Sequence, residues 1–229
     1  MWLNSIVGTA GRETRDRLIA TAERLFASEG VNGVSLREIV RASGARNVTA
    51  LQYHFGDRRG LLRAVLERHQ HDVEIARNAL LDTYEAGAED EVQTLSAALV
   101  RPLAAKLADP AGRAYLQILG ELVNRPEPVI ARASMNDPAD STFRWRALTA
   151  PLLEEDATRL HRRFVAVRFT VTELARRAQS GPHADDRLFV SHLIDLVSAV
   201  LLAPLSPQTL RLAAERDRAG PGGRPPGTP

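Results

Sequence analysis

Cysteine is missing from all 229 residues. Its absence excludes a disulfide framework and a thiolate metal site, and it suits a reducing compartment, so a cytoplasmic location is expected. Lysine is nearly missing as well. Lys106 stands alone among 30 basic residues, and the rest are arginine. No apolar run reaches the roughly 20 residues that span a membrane, and no membrane partner is expected. Met1 to Ala10 lacks the basic start and long apolar core of a signal peptide and reads as a flexible arm. Walker loops, nucleophile elbows and dinucleotide glycine patterns are absent, and Gly112 and Gly120 are isolated. No catalytic residue and no cofactor is therefore expected. His69 and His71 are two apart, on different faces of a helix, and His161, His183 and His192 are scattered, so no metal site is expected. Glu154-Glu155-Asp156 sits at a helix start, where it offsets the dipole more simply than it serves carboxylate chemistry.

What is present is helical periodicity, most informative between residues 12 and 66. Leu18, Ile19, Ala22, Leu25 and Phe26 make one apolar stripe over a helix from about Arg12 to Glu29, and Gly30 can end it in the left-handed conformation. Ser35 opens a second helix with Glu38 three residues on, the spacing of a capping box. Leu36, Ile39 and Val40 point inward, and Ser43-Gly44-Ala45 forms the turn. Asn47 is the expected N-cap of a third helix from about Val48 to His54, anchored by Leu51. Three short helices with a basic surface are a compact way to place one helix in a DNA major groove.

Charge agrees with that reading. Residues 11–71 hold 11 Arg against 7 acidic side chains, a balance of +4, whereas the remainder carries −2. A basic N-terminal region on a slightly acidic remainder fits a DNA reader joined to a domain with another task.

The order of these elements, closed by Gln52-Tyr53-His54-Phe55 and followed by Arg58, resembles the DNA-binding domain of TetR-family transcriptional regulators over roughly residues 12–66. Two departures stand out. The stretch Ser43 to Asn47 is one residue longer than the family's usual turn, and Gln52 stands where many members carry Tyr. In the third helix, Arg46, Asn47, Thr49, Gln52 and Tyr53 are placed to meet bases, because Gln pairs with adenine, Arg with guanine, and Thr can touch a thymine methyl. His54 is placed toward a phosphate or the fourth helix. Ser35 and Arg37 at the second helix's start, and Arg58 and Arg59 at the fourth's, are placed to hold phosphates. The expected partner is double-stranded DNA.

Beyond residue 66 the segments also read as helices: Leu61 to Tyr84, about Glu89 to Leu107, Gly112 to Asn124, a short turn at Val129 to Ala133, Asp140 or Ser141 to about Leu153, Glu155 to Gln179, Asp185 to Leu202, and Pro207 to about Glu215. The fold class is all-α: a helix-turn-helix domain over 12–56, a helical regulatory and dimerisation domain over 57–215, and a disordered Gly- and Pro-rich tail over 216–229. The helix Asp185 to Leu202 is apolar nearly all round, so more than one side must be buried. The family resemblance implies a homodimer through the last two long helices, with Phe189, Leu193, Leu196, Val197 and Val200 as candidate contacts. Aromatics make up only 5% of the chain. Tyr115, Phe143, Trp145 and Phe164, with Arg168 as a polar handle, are the candidates for a pocket that takes a small apolar ligand, though ordinary core is the plainer assignment. Ligand response and repression are implications of the resemblance. The competing assignment is a helical protein-interaction module that does not read DNA sequence.

Overall fold

The computed structural model describes residues 3–45, 47–87, 91–125 and 140–219, with side chains from 11 to 218 within those ranges. Every regular element among them is helical. Helix α1 spans Leu3–Glu29, starting well before Arg12, so residues 3–11 continue a helix where a flexible arm was expected. Its stripe of Leu18, Ile19, Ala22 and Phe26 is buried. Gly30 ends it at φ +84°, with its N–H on Phe26 O. Helices α2 (Leu36–Ser43) and α3 (Val48–Phe55) pack on α1 through Ile39, Val40 and Leu51.

Helix α4 (Arg58–Glu85) begins three residues before its apolar pattern does, because Asp57 caps it by accepting from Gly60 N at 2.8 Å. Leu61, Leu62, Val65 and Leu66 bury its first turns, and Val73 and Leu81 bury its later ones. Helix α5 (Glu91–Ala104) tightens into a 3-10 turn over Ala105–Ala108. Asp109 then caps α6 (Pro110–Val123), with Pro110 in the first turn, where a missing N–H costs nothing. Gly112 is required there: a Cβ would stand 2.2 Å from Lys106 O.

Helix α7 (Ser141–Thr149) is capped by Asp140, which accepts from Thr142 N and Phe143 N, and ends in a 3-10 turn over Ala150–Leu152. The single helix expected from Glu155 to Gln179 is two: α8 (Glu155–Arg159) and α9 (Arg162–Gln179). Between them His161 is left-handed at φ 58°. The bend lets Arg162 donate to Leu201 O and Ala203 O at the end of α10 (Arg187–Leu202). Helix α11 (Pro207–Ala219) runs past the expected end at Glu215, so residues 216–219 are helical, not tail. The short helix expected at Val129 to Ala133 and the tail from 220 lie outside the described residues.

One apolar core runs through the molecule. Helix α5 sits between α4 and α10, while α6 packs against both α9 and α1. Trp145 is fully buried and donates its indole N–H to Leu95 O at 2.7 Å, which joins α7 to α5. Helix α6 presses closely on α9, where a Cβ added at Gly120 would lie 2.4 Å from Ala175 Cβ. Gly120→Ala should therefore destabilise by about 1–3 kcal/mol through overpacking, despite a helix-propensity gain of about 1 kcal/mol. The denaturant midpoint measures this; a rise would show that the two helices separate freely.

Candidate nucleic-acid interface

The site is built from its caps upward. Ser35 Oγ accepts from Glu38 N at 3.2 Å, and Glu38 Oε2 accepts from Ser35 N at 2.7 Å, closing the capping box at the start of α2. Those bonds hold the Glu38 carboxyl below its ordinary pKa, the Ser35 backbone N–H contributing most and its hydroxyl next. A lowered folded-state pKa stabilises above the unfolded value and is lost as pH falls through the folded one, so the cap loosens only in acid. Gly44 ends α2 at φ 69°, and its N–H reaches Arg41 O. Asn47 caps α3 by accepting from Ala50 N at 3.1 Å. Caps therefore stand at the C-terminus of α2 and the N-terminus of α3.

This frame leaves one face of α3 bare. Thr49, Gln52 and Tyr53, at i, i+3 and i+4, are all exposed, Tyr53 to 85%, while Leu51 on the opposite face is fully buried. Fixed, polar and solvent-facing, that face has no work in the fold. Asn47 is exposed beside it, with its oxygen committed to the cap. His54 is half-buried, its ring edge-on to Tyr53 at 5.2 Å and tilted against Phe55. Phe55 is half-buried under the Arg15 guanidinium, 5.5 Å from the ring centroid, which ties α3 back to α1. Arg46 lies outside the described residues.

Ser35 and Arg37 are exposed at the start of α2, and Arg59 is exposed at the start of α4. Arg58 differs from its expected place. It is half-buried and donates Nη1 to Val31 O at 2.6 Å, so at least one of its nitrogens serves the fold.

The residues expected to line a ligand pocket differ widely in burial. Tyr115 and Trp145 are core, Phe143 is half-buried, and Phe164 and Arg168 are exposed. Tyr115 stacks on the His69 ring at 4.8 Å, and burial pushes its hydroxyl up to about 12. A cleft of about 490 Å³ lies elsewhere, between α1 and α4, lined by Arg15, Asp16, Ile19, Ala64, Glu67 and Arg68. Its charged walls do not suit an apolar molecule.

Polar ties that sequence reasoning missed stiffen α4. His69 Nε2 meets buried Glu23 at 2.5 Å, joining α4 to α1. Buried Arg77 donates to Ser141 Oγ and Thr142 Oγ1 at the start of α7, and burial lowers its pKa against the opposing pull of Glu74. No local spacing announces either pair.

Of the expected dimer contacts, Leu193 and Val197 are corrected: both are buried in the protomer's own core. Phe189 and Val200 are half-buried, and only Leu196 is exposed. The outer apolar residues of this region are Phe164 and Val165 on α9, and Leu188, Leu196 and Leu202 on α10.

The geometry agrees with known proteins. The sequence profile described as bacterial regulatory proteins, tetR family, matches residues 18–65. The HTH-type transcriptional regulator SrpR of Pseudomonas putida is 36% identical over 63 residues, which is 28% of this chain and 29% of SrpR. The uncharacterized HTH-type transcriptional regulator TtgW, also of Pseudomonas putida, is 36% identical over 64 residues, 28% of this chain and 47% of TtgW. The chain thus matches less than half the length of these curated relatives. The crystal structure of a tetR family transcription regulator from Shewanella sp. PV-4 superposes with a TM-score of 0.57 at 18% identity, covering 82% of this chain and 95% of that one. Residues 18–65 thus carry the N-terminal domain of the tetR family, and the chain as a whole shares its fold with the Shewanella protein.

The capping box carries a direct test. Ser35→Ala should cost about 1 kcal/mol of stability, the usual worth of an N-cap. Thr49→Ala on the bare face should leave the denaturation midpoint unchanged. Equal losses in both variants would mean that the α3 face does structural work.

Proposed function

We propose that the protein is a sequence-specific DNA-binding transcriptional regulator that reads a major groove with α3. The observation that carries this reading is the bare face of Thr49, Gln52 and Tyr53, held rigid by caps at both ends of the turn and backed by buried Leu51. Exposed Ser35, Arg37 and Arg59 flank it and supply phosphate contacts. Domain limits of 12–56 for the reader and 57–215 for the helical remainder follow from this division of labour. Location in the cytoplasm, repression, and release by a small molecule are supported by the likeness of residues 18–65 to the tetR family. The Tyr115, Phe143, Trp145, Phe164 and Arg168 set is not retained as the pocket.

One short helix reads too few bases for specificity, so the regulator acts as a two-fold dimer that meets two half-sites. The exposed apolar residues of α9 and α10 support this role. Burying each such side chain is worth about 1.5–3 kcal/mol before the costs of association. Leu188 and Leu196 sit on the outer surface, at 83% and 38% exposure. The double variant Leu188→Arg, Leu196→Arg should therefore stay folded and sediment as a monomer. A wild-type mass of one chain at micromolar concentration would sink the dimer.

The DNA-reading claim is tested by selecting bound duplexes from a random pool and titrating salt. Phosphate contacts give a steep fall of affinity with salt. Gln52→Ala should cost about 1–3 kcal/mol and relax preference at one position per half-site. A pool that yields no enriched sequence, with a flat salt response, would favour a protein-docking helical module.

A further inference from the structure

In the loop between α1 and α2, the backbone groups of Val31 find partners on neither of those two helices. Val31 is 1% exposed, and a buried backbone N–H needs a partner. That partner is Glu121 Oε2 at 2.9 Å, ninety residues further along the chain, on α6. The carbonyl of the same residue accepts from Arg58 Nη1 at 2.6 Å, at the start of α4. Both polar groups of one loop residue are thus held by side chains from other elements. Glu121 is itself braced by Arg125, one turn on. Its neighbour Gly120 is where α6 presses on α9.

We propose that Glu121 is the positioning residue through which the larger helical bundle sets the helix-turn-helix, by clamping the Val31 backbone together with Arg58. The proposal rests on the DNA-binding reading above. Its physical basis is the short reach of a hydrogen bond: an α6 shift of about 1 Å takes a 2.9 Å contact past bonding distance. Val31 is followed by buried Val34 and then by the Ser35 cap, so a released loop loosens the entry to α2. The route from α9 to the reader is therefore a run of direct contacts: Ala175 on Gly120, Glu121 on Val31, and the loop on α2.

Charge gives the test its sign. Removing a carboxylate makes the protein more positive, so electrostatics alone tightens DNA binding. The clamp demands the reverse. With a duplex selected by the wild-type protein, Glu121→Ala should bind about tenfold more weakly, the scale of one lost ionic hydrogen bond. Its salt slope and base preference should not change, because no phosphate or base contact is removed. Hydrogen exchange at the Val31 amide should accelerate. Glu121→Gln keeps an acceptor oxygen and should bind within about twofold of wild type. Glu121→Met keeps the bulk without the acceptor and carries the alanine expectation, so it decides the question if the alanine variant fails to fold. Arg58→Ala should also weaken binding with an unchanged slope; a slope lower by about one would make it a phosphate contact instead and remove it from the clamp. Unchanged or tighter binding by Glu121→Met, or unaltered Val31 exchange, overturns the proposal. Failure of the wild-type protein to select any duplex instead removes the DNA-binding reading on which it rests.

Discussion

Helix α4 has to pack against both ends of one continuous core, and most of the architecture follows from that constraint. Its 28 residues extend about 42 Å at 1.5 Å each. Leu61, Leu62, Val65 and Leu66 are buried near its start, beside the short helices of the reader, and Val73 and Leu81 further along, within the larger bundle. A helix cannot shorten or bend cheaply between these anchor sets. The buried Glu23–His69 and Arg77–Ser141 contacts add direction to what apolar packing leaves free. Breaking such a pair by removing one partner leaves a buried polar group unmatched, which costs more than the pair contributes. The reader and the bundle are therefore joined by a strut whose orientation is fixed from both ends.

The molecule nonetheless keeps two surfaces that its own folding does not use. On α3, Thr49, Gln52 and Tyr53 project from a helix whose stability comes from Leu51 and two caps. On α9 and α10, Phe164, Val165, Leu188, Leu196 and Leu202 remain in contact with solvent. Exposed large apolar side chains contribute nothing to the stability of an isolated protomer, and they are the surface on which the proposed dimer rests. Under the proposed function the two surfaces would belong together, because a short reading helix gains specificity by being doubled.

The sequence made legible what is local. Ser35 with Glu38 and Asn47 cap as their spacing implies, and of the two candidates Asp140 and Ser141 it is Asp140 that caps, since a cap is decided within four residues. Helical class and the buried stripe of α1 were legible for the same reason. The break at His161 was not: neither glycine nor proline marks it, and Arg162 finds its acceptors about forty residues away. Periodicity could also not sort the faces of α10, which is apolar nearly all round. Leu193 and Val197 turned out to face the protomer's own core because α5 occupies that side. The bare face of α3 was legible through Leu51, whose inward position places Thr49 and Gln52 outside. Arg58 was legible as a cation beside the reader, and its bond to Val31 was not.

A switch of the kind proposed would need two arrangements separated by a small free energy, and the contacts here differ in how readily they would supply one. The α6–α9 packing at Gly120 and Ala175 has no slack, so those helices move as a unit or not at all. The polar ties at Val31 are different. Each is a single directional bond, part-buried and within reach of water once opened. The net worth of one such bond is about 1–3 kcal/mol, because water replaces the lost partner. Allosteric coupling between two sites typically amounts to about 1–3 kcal/mol as well. A rigid bundle that ends in a few weak, short-range ties is thus a suitable construction for switching. Under the clamp proposed above, a displacement of α6 by about an ångström would open these ties while the packed bundle stayed intact.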